Sequence, residues 1–346
     1  MITSKTPFEA DILEQPAALR RLAASPLGGT PAAELVRDWD RIVFTGMGSS
    51  YFAGIPTWRA LIGTGRATWS VDTGQLLDTP GLVTERTLLV VTSQSGASGE
   101  IVELVDRIAA GQLKPQLLVG VSNDESSALA VASQLYFPLE SGPEATVSTK
   151  SYLNTLAVHR YISAAFLGES SAAVTDQVLI TADSVERMIG EADLSTVATE
   201  ALAIPGYRLA MVGRCDHGAT ALFAALITKE SAKLPAEGFI GGQFRHGPFE
   251  LAGDGLTAVI FGLDVTRPDP ILRRLASDLV ATGSSVVVVG HDELRGTVSV
   301  PAPGSFVLES LATAAVAAEL LAVGLSRANG VVPGSFAYGS KITTAR

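Results

Sequence analysis

Short apolar, β-branched runs that stop at small polar residues recur along this chain. Residues 88–92 read Leu-Leu-Val-Val-Thr, without the polar alternation of a half-exposed strand, and so predict a strand covered on both faces. The run breaks into Ser93-Gln94-Ser95-Gly96-Ala97-Ser98-Gly99. Apolar positions then resume at helical spacing with Ile101, Leu104 and Val105. The same reading predicts strands over residues 41–45, 116–121, 207–212, 257–261 and 285–289, and a short one at 69–72. A further short strand at 135–139 belongs at a sheet edge, because Pro138 cannot donate to a ladder. Helices are expected over residues 51–62, 151–167, 172–202, 219–233, 270–281 and 311–325. The stretch up to about Trp39 also reads as helical, around a Gly28-Gly29 break flanked by Pro26 and Pro31.

Alternating strands and helices predict an α/β fold built on parallel sheets flanked by helices. The strand ends also repeat. Gly46 and Gly213 are offset by about 167 residues, and Thr92/Gly262 and Gly120/Gly290 by about 170 each. Near-constant offsets in the same order favour duplication of one unit. The expected division is residues 1–190, a helical arm plus a first domain with its core at about 35–167, and residues 191–346, a second domain with its core at about 200–325 and a C-terminal tail over the active site.

Composition narrows the function. The chain is 47% hydrophobic but only 6% aromatic, so its apolar content is mostly Ala, Val, Leu and Ile, as helix-covered sheets require. The net charge of −10 argues against a nucleic-acid surface. The single cysteine, Cys215, leaves no intrachain disulfide and no cysteine-rich metal site, and no metal-ligand spacing occurs; neither metal nor cofactor is expected. The first residues lack a continuous apolar run, so no signal peptide is expected, and residues 311–325, interrupted by Glu319, read as a core helix rather than a membrane span. A cytoplasmic protein is the expectation.

The loop after residue 92 is the strongest chemical feature. A strand end leading into a helix presents unbonded backbone N–H groups and the positive end of the helix dipole, which together favour an anion. Ser93, Ser95 and Ser98 add hydroxyls and Gln94 an amide, all uncharged, which suits a phosphate held by neutral hydrogen bonds. Gly46-Met47-Gly48-Ser49-Ser50 forms a second such loop after the first strand. Serine and glycine also serve simply to make tight turns and caps. Two such loops at strand ends of one parallel unit favour convergence on one ligand.

Among the four histidines, His159 sits mid-helix beside apolar positions and reads as structural, and His217 and His291 lie in strand-end loops. His246 stands in Gly241-Gly242-Gln243-Phe244-Arg245-His246-Gly247-Pro248, a setting that presents an imidazole rather than buries it. Glu230 follows Lys229 on a largely apolar helix.

The Gly46–Ser50 and Ser93–Gly96 loops, Ser148-Thr149-Lys150, Lys229-Glu230 and Arg245-His246-Gly247-Pro248 together resemble the double SIS (sugar isomerase) proteins. These include the isomerase half of glucosamine-6-phosphate synthase, amino-sugar-6-phosphate deaminases and fructosamine-6-phosphate deglycases. The resemblance implies two tandem flavodoxin-like domains and a homodimer with a shared active site. It implies that Ser49, Ser50, Ser93, Gln94, Ser95 and Ser98 hold a sugar 6-phosphate, and that Val147 and Ser148 line the sugar. Glu230 would move a proton between C1 and C2, His246 from a second subunit would assist ring opening, and Lys341 in the tail would be the Schiff-base candidate. The chain has no room for a glutaminase domain, and Ile227 stands where the synthase carries a lysine. Both features favour a glutamine-independent isomerase, deaminase or deglycase. The competing reading is a non-catalytic sugar-phosphate sensor, against which Glu230 and His246 weigh.

Overall fold

The computed structural model describes residues 5–25, 32–264, 268–291 and 294–344. The expected Gly28-Gly29 break with its flanking prolines, and the side chain of His291, lie outside the described residues. In chain order the first half forms α1 (Pro7–Ala24), α2 (Ala32–Leu35), β1 (Arg41–Gly46), α3 (Gly48–Ala53), α4 (Ile55–Gly63), β2 (Thr68–Ser70), α5 (Thr73–Asp78), β3 (Thr87–Thr92), α6 (Gly99–Ala109), β4 (Leu117–Ser122), α7 (Ala128–Ala132), β5 (Leu135–Pro138) and α8 (Lys150–Leu167). The second half forms α9 (Ser171–Glu191), α10 (Ser195–Leu202), β6 (Arg208–Gly213), α11 (His217–Ile227), β7 (Ala236–Ile240), β8 (Leu256–Asp264), α12 (Pro270–Ala281), β9 (Ser285–His291), β10 (Val298–Pro301) and α13 (Val307–Ala328).

The strands make two five-stranded parallel sheets. The first runs β2-β1-β3-β4-β5. The second, taken from its β7 edge, runs β7-β6-β8-β9-β10. Counted from the first strand of each sheet, the two orders are the same. In each sheet the chain reverses its direction of travel between the first and third strands, β1/β3 in one and β6/β8 in the other. Such a reversal splays the flanking connections apart and opens a crevice at the strand ends.

The chain divides into two compact units. One comprises Ala17–Glu144, Lys150–Leu179 and Tyr338–Arg346, and the other Met1–Pro16, Ala145–Thr149 and Ile180–Ala337. This differs from a single cut near residue 190. The first turns of α1 go with the second sheet, while the tail beyond Ala337 goes with the first.

In the first unit the core is built on Val43, Leu89, Val91 and Leu118, with Ile101 and Leu104 of α6 packed over them. β3 is buried along its whole length, as its unbroken apolar run requires. β5 is an edge strand and places Pro138 in its last pair. In the second unit Val212, Ile260 and Val288 pack against Leu272, Leu275 and Leu279 of α12. Asp269 starts that helix, accepting from the backbone of Ile271 and Leu272 with Pro270 in the first turn. α13 is long and apolar enough to cross a membrane by length and composition, but 83% of its apolar window is buried within the fold.

Four local expectations are corrected. The helix expected over 172–202 is two, because Asp193 accepts a hydrogen bond from Ser195 N and starts α10 anew. The helix expected over 219–233 ends as an α-helix at Ile227 and continues as a π-helical turn over Thr228–Ala232, closed by Lys233 in the left-handed region. β7 and β10 were not expected. Both are edge strands; only Ala236 and Phe239 of Ala236-Glu237-Gly238-Phe239-Ile240 and only Val300 of Val298-Ser299-Val300-Pro301 are buried.

Candidate active site

In the first unit, the loops after β1 and β3 stand side by side at the switch point, since Gly46 pairs with Thr92 in the parallel register. Glycine is required at position 46: a Cβ there would lie 2.6 Å from the Thr92 carbonyl oxygen. Ser49 and Ser50 occupy the first turn of α3 and are half-buried.

The loop from Ser93 to Ser98 is held by its own atoms. Ser93 N donates to Val121 O at 3.0 Å, and Gly96 N donates to the Ser93 hydroxyl at 3.1 Å. Ala97 N donates to the Ser95 hydroxyl at 3.2 Å. Both hydroxyls therefore act as acceptors toward the loop and keep their own hydrogens to donate. Asn123 N donates to Gln94 O, and Leu129 N to Gly96 O, which ties the loop to the end of β4 and to α7. Gly96 sits at φ +62°, and a Cβ there would lie 2.2 Å from the Ser127 hydroxyl.

Ser98 is the N-cap of α6, yet its hydroxyl makes no capping bond, and the oxygen is buried with no hydrogen-bond partner among the described residues. Leaving a buried hydroxyl unpaired costs on the order of 1–3 kcal/mol. In a loop shaped to meet an anion, this is a donor held ready for one.

The tail reaches the same loop. Gly99 N, the first N–H of α6, donates to Thr343 O at 3.0 Å. Lys341 Nζ lies 2.5 Å from a carboxylate oxygen of Glu144, whose side chain is fully buried. Glu144 also accepts from Ser151 N at 3.0 Å and the Ser151 hydroxyl at 2.6 Å, at the start of α8. Burial alone would raise the pKa of this carboxyl, but the Lys341 charge and the Ser151 bonds outweigh it and hold it below the ordinary range. Residues 338–344 of the tail thus belong with the first sheet, and Lys341 is engaged as an ammonium. Glu144 was not singled out from the sequence; a lone acid shortly before Ser148-Thr149-Lys150 was the available signal.

Behind the loop, His159 of α8 shares a 2.9 Å hydrogen bond with the Thr92 hydroxyl. Desolvation pushes its pKa down to about 4, so it is neutral and structural, as its place in the pattern suggested.

The remaining candidates lie in the second unit. Val147 is buried and Ser148 half-buried. Their segment and the turn carrying Glu230 both abut Gly334: a Cβ on Gly334 would lie 3.0 Å from the Thr146 hydroxyl, and Gly334 N donates to the Ser231 hydroxyl. Glu230 is half-buried in the π-helical turn, a distortion frequent at functional positions and invisible in the residue pattern. Lys233 closes that turn by donating to the carbonyls of Glu230 and Ser335. Desolvation lowers the Lys233 pKa, opposed by the Glu230 charge.

His246 is exposed and follows a 3-10 turn anchored by the buried Phe244, which packs edge-on against Phe239 and Phe249. Gly247 after it takes φ +109°. The neighbouring Arg245 is spent on Asp278 at 2.6 Å and on the Phe249 ring. His246 is thus presented, as its glycine-rich surroundings predicted. Among the described residues no group of three or more His, Cys, Asp or Glu side chains is arranged to hold a metal.

Residues 35–164 match the family model for the SIS domain. Over 82% of its length the chain is 26% identical to a glutamine–fructose-6-phosphate aminotransferase (isomerizing) from Streptococcus pyogenes, of which it covers 49%. It spans about half the length of the curated relatives it matches. Its fold is that of the C-terminal domain of a glucosamine-fructose-6-phosphate aminotransferase from Francisella tularensis, with a TM-score of 0.80, 17% identity and coverage of 96% of this chain and 99% of that one. It is shared by a glucosamine-6-phosphate deaminase from Thermotoga maritima, with a TM-score of 0.76, 19% identity and coverage of 98% and 100%. The stretch similar to an SIS domain is the one that holds the first sheet and its serine loop.

Proposed function

We propose that this protein is a cytoplasmic enzyme of sugar-phosphate metabolism. It shifts a proton between C1 and C2 of a sugar or amino-sugar 6-phosphate without using glutamine. The observation that carries the reading is the buried, unpartnered Ser98 hydroxyl, set among Ser93, Gln94 and Ser95 at the β1/β3 switch point. Uncharged donors at a helix start bind a phosphate without needing a lysine or arginine. Ser49 and Ser50 on the adjacent strand end extend the same set of donors, and Val147 and Ser148 are assigned to the sugar.

Glu230 is assigned as the base. Its carboxylate takes the proton from one carbon, leaving an enediol or enaminol, and returns it to the other. With an amino group on C2, the shift converts the carbon–nitrogen bond to an imine. Water then adds and releases ammonia and a ketose phosphate, so deamination is isomerisation with one further step. His246 is assigned to ring opening and is contributed by a second copy of the chain in a homodimer, and Lys341 becomes available for carbonyl chemistry only when it leaves Glu144. The matching strand orders of the two sheets support descent from one duplicated SIS unit.

The test is turnover of glucosamine 6-phosphate and fructose 6-phosphate, followed as ammonia and as aldose–ketose interconversion. Glu230→Gln should abolish both products while the Tm rise caused by substrate persists. Turnover unchanged in that variant would remove Glu230 from the chemistry. A Tm rise with no turnover in the wild type would favour a sensor. Mixing His246→Ala with Glu230→Gln chains should restore activity if His246 serves the partner's site.

A further inference from the structure

The π-helical turn that carries Glu230 ends on a strained residue. Lys233 closes it at φ +58° and ψ +30°, with its backbone N–H donating to Lys229 O at 3.2 Å. Among the described residues only Glu140, Cys215 and Lys233 place a side chain on a left-handed backbone. Glycine is the residue that ordinarily ends a helix in this conformation, because a Cβ disfavours it. A residue strained in this way persists where the surrounding structure holds it.

The Lys233 side chain supplies that hold. Its Nζ donates to the carbonyl of Glu230 within the turn and, at 2.5 Å, to the carbonyl of Ser335 beyond α13. The centroid of the Phe336 ring lies 5.9 Å from the same nitrogen. An ammonium has three donors, so it can bridge two carbonyl oxygens, and its charge makes each bond roughly twice as strong as a neutral one. A second tie runs beside the first. Gly334 N donates to the Ser231 hydroxyl at 3.0 Å, and that hydroxyl also pairs with Ser326 of α13 at 2.8 Å. Gly334 has no room for a side chain: at φ +75°, a Cβ on it would lie 2.4 Å from Cβ of Phe8 and 3.0 Å from the Thr146 hydroxyl. Residues 334–336 therefore meet the Glu230 turn on one side and, at Thr146, the segment leading into Val147 and Ser148 on the other. All of these residues belong to one compact unit.

A base that serves two adjacent carbons tolerates little displacement, since an error of about 1 Å can cost on the order of a hundredfold in rate. We propose that Lys233 is a positioning residue, whose ammonium clamps the Glu230 turn to residues 334–336 and so sets the base against the sugar. The inference rests on the assignment of Glu230 to proton transfer and of Val147 and Ser148 to the sugar.

Lys233→Gly separates a clamp from a simple helix cap. Glycine is the ordinary cap, so a residue that only capped the turn could be replaced by it without loss. Loss of the clamp should instead lower kcat for glucosamine 6-phosphate or fructose 6-phosphate about tenfold, with KM changed less than about twofold. Lys233→Met, which keeps the aliphatic stem, should behave like Lys233→Gly, and Lys233→Arg, which keeps a charged donor, should restore most of the rate. Hydrogen exchange reads the clamp without turnover. Peptides covering residues 228–233 and 331–337 should exchange several-fold faster in Lys233→Gly and Lys233→Met than in the wild type or Lys233→Arg. Unchanged kcat in Lys233→Gly and Lys233→Met, or an equal loss in Lys233→Arg, overturns the positioning role. Unchanged exchange in both segments overturns the clamp itself. No turnover by the wild type, with the exchange pattern as expected, overturns the proton-transfer reading and leaves the clamp standing.

Discussion

Lys341 Nζ and the buried carboxylate of Glu144 form a 2.5 Å ion pair that fastens the C-terminal tail beside the start of α8. Removing the cation leaves a buried charge, whereas removing the anion leaves an ammonium able to reach water. Lys341→Met should therefore cost roughly 3 kcal/mol and Glu144→Gln clearly less. The double variant should fall well short of the sum, and additive losses in denaturant melts would show that the pair is not coupled. Because the Glu144 carboxyl titrates below its ordinary value, its contribution is full above the unfolded carboxylate pKa of about 4.3 and is lost as pH falls through the folded value.

Ser98 carries a buried hydroxyl with no hydrogen-bond partner among the described residues. Ser98→Ala should leave the free protein as stable as the wild type or slightly more so, since it removes an unpaired buried donor. The same change should reduce the Tm rise given by glucosamine 6-phosphate. Thermal melts with and without that compound check both halves, and an undiminished ligand shift would take Ser98 out of the binding loop.

His159 is neutral in the fold, with a pKa of about 4 against about 6.5 for an exposed imidazole. Its folded pKa is depressed, so its contribution is intact above about pH 6.5 and disappears as pH falls toward 4. The loss amounts to roughly 3 kcal/mol at most. Urea melts at neutral and mildly acid pH should show a smaller acid loss in His159→Gln than in the wild type. An identical loss in the two proteins would place the acid sensitivity elsewhere.

Gly96 has both a left-handed backbone and a Ser127 side chain in the space a β-carbon would need. Gly96→Ala should destabilise by roughly 3 kcal/mol or more, combining backbone strain with overpacking. Adding Ser127→Gly should recover the overpacking part and leave a residue of about 1–2 kcal/mol from the left-handed conformation. Full recovery would mean that the backbone at position 96 is unstrained.

The central strands were legible because burial on both faces requires unbroken apolar runs: β1, β3, β4, β6, β8 and β9 all stand where those runs fall. The two edge strands β7 and β10 were not, because they bury only Ala236 and Phe239 in one and Val300 in the other, too few positions to set a strand period apart from a loop. Glu230 and His246 stood out in the sequence only as candidates, and the π-helical turn under Glu230, with Ser231 and Asn329 bonding across the second unit, is something no local pattern encodes.

The residue pattern by itself determined the α/β class, the serine loop and its place at a strand end, because those depend on burial periodicity and on the local chemistry of turns. Only the tertiary structure decided the strand order that sets the β1 and β3 loops side by side and the isolation of the Ser98 hydroxyl. It also decided the pairing of Lys341 with Glu144 and the bridge from Lys233 to Ser335. Each depends on atoms brought together from distant parts of the chain, and a linear pattern records which groups are present but not which of them are left without a partner.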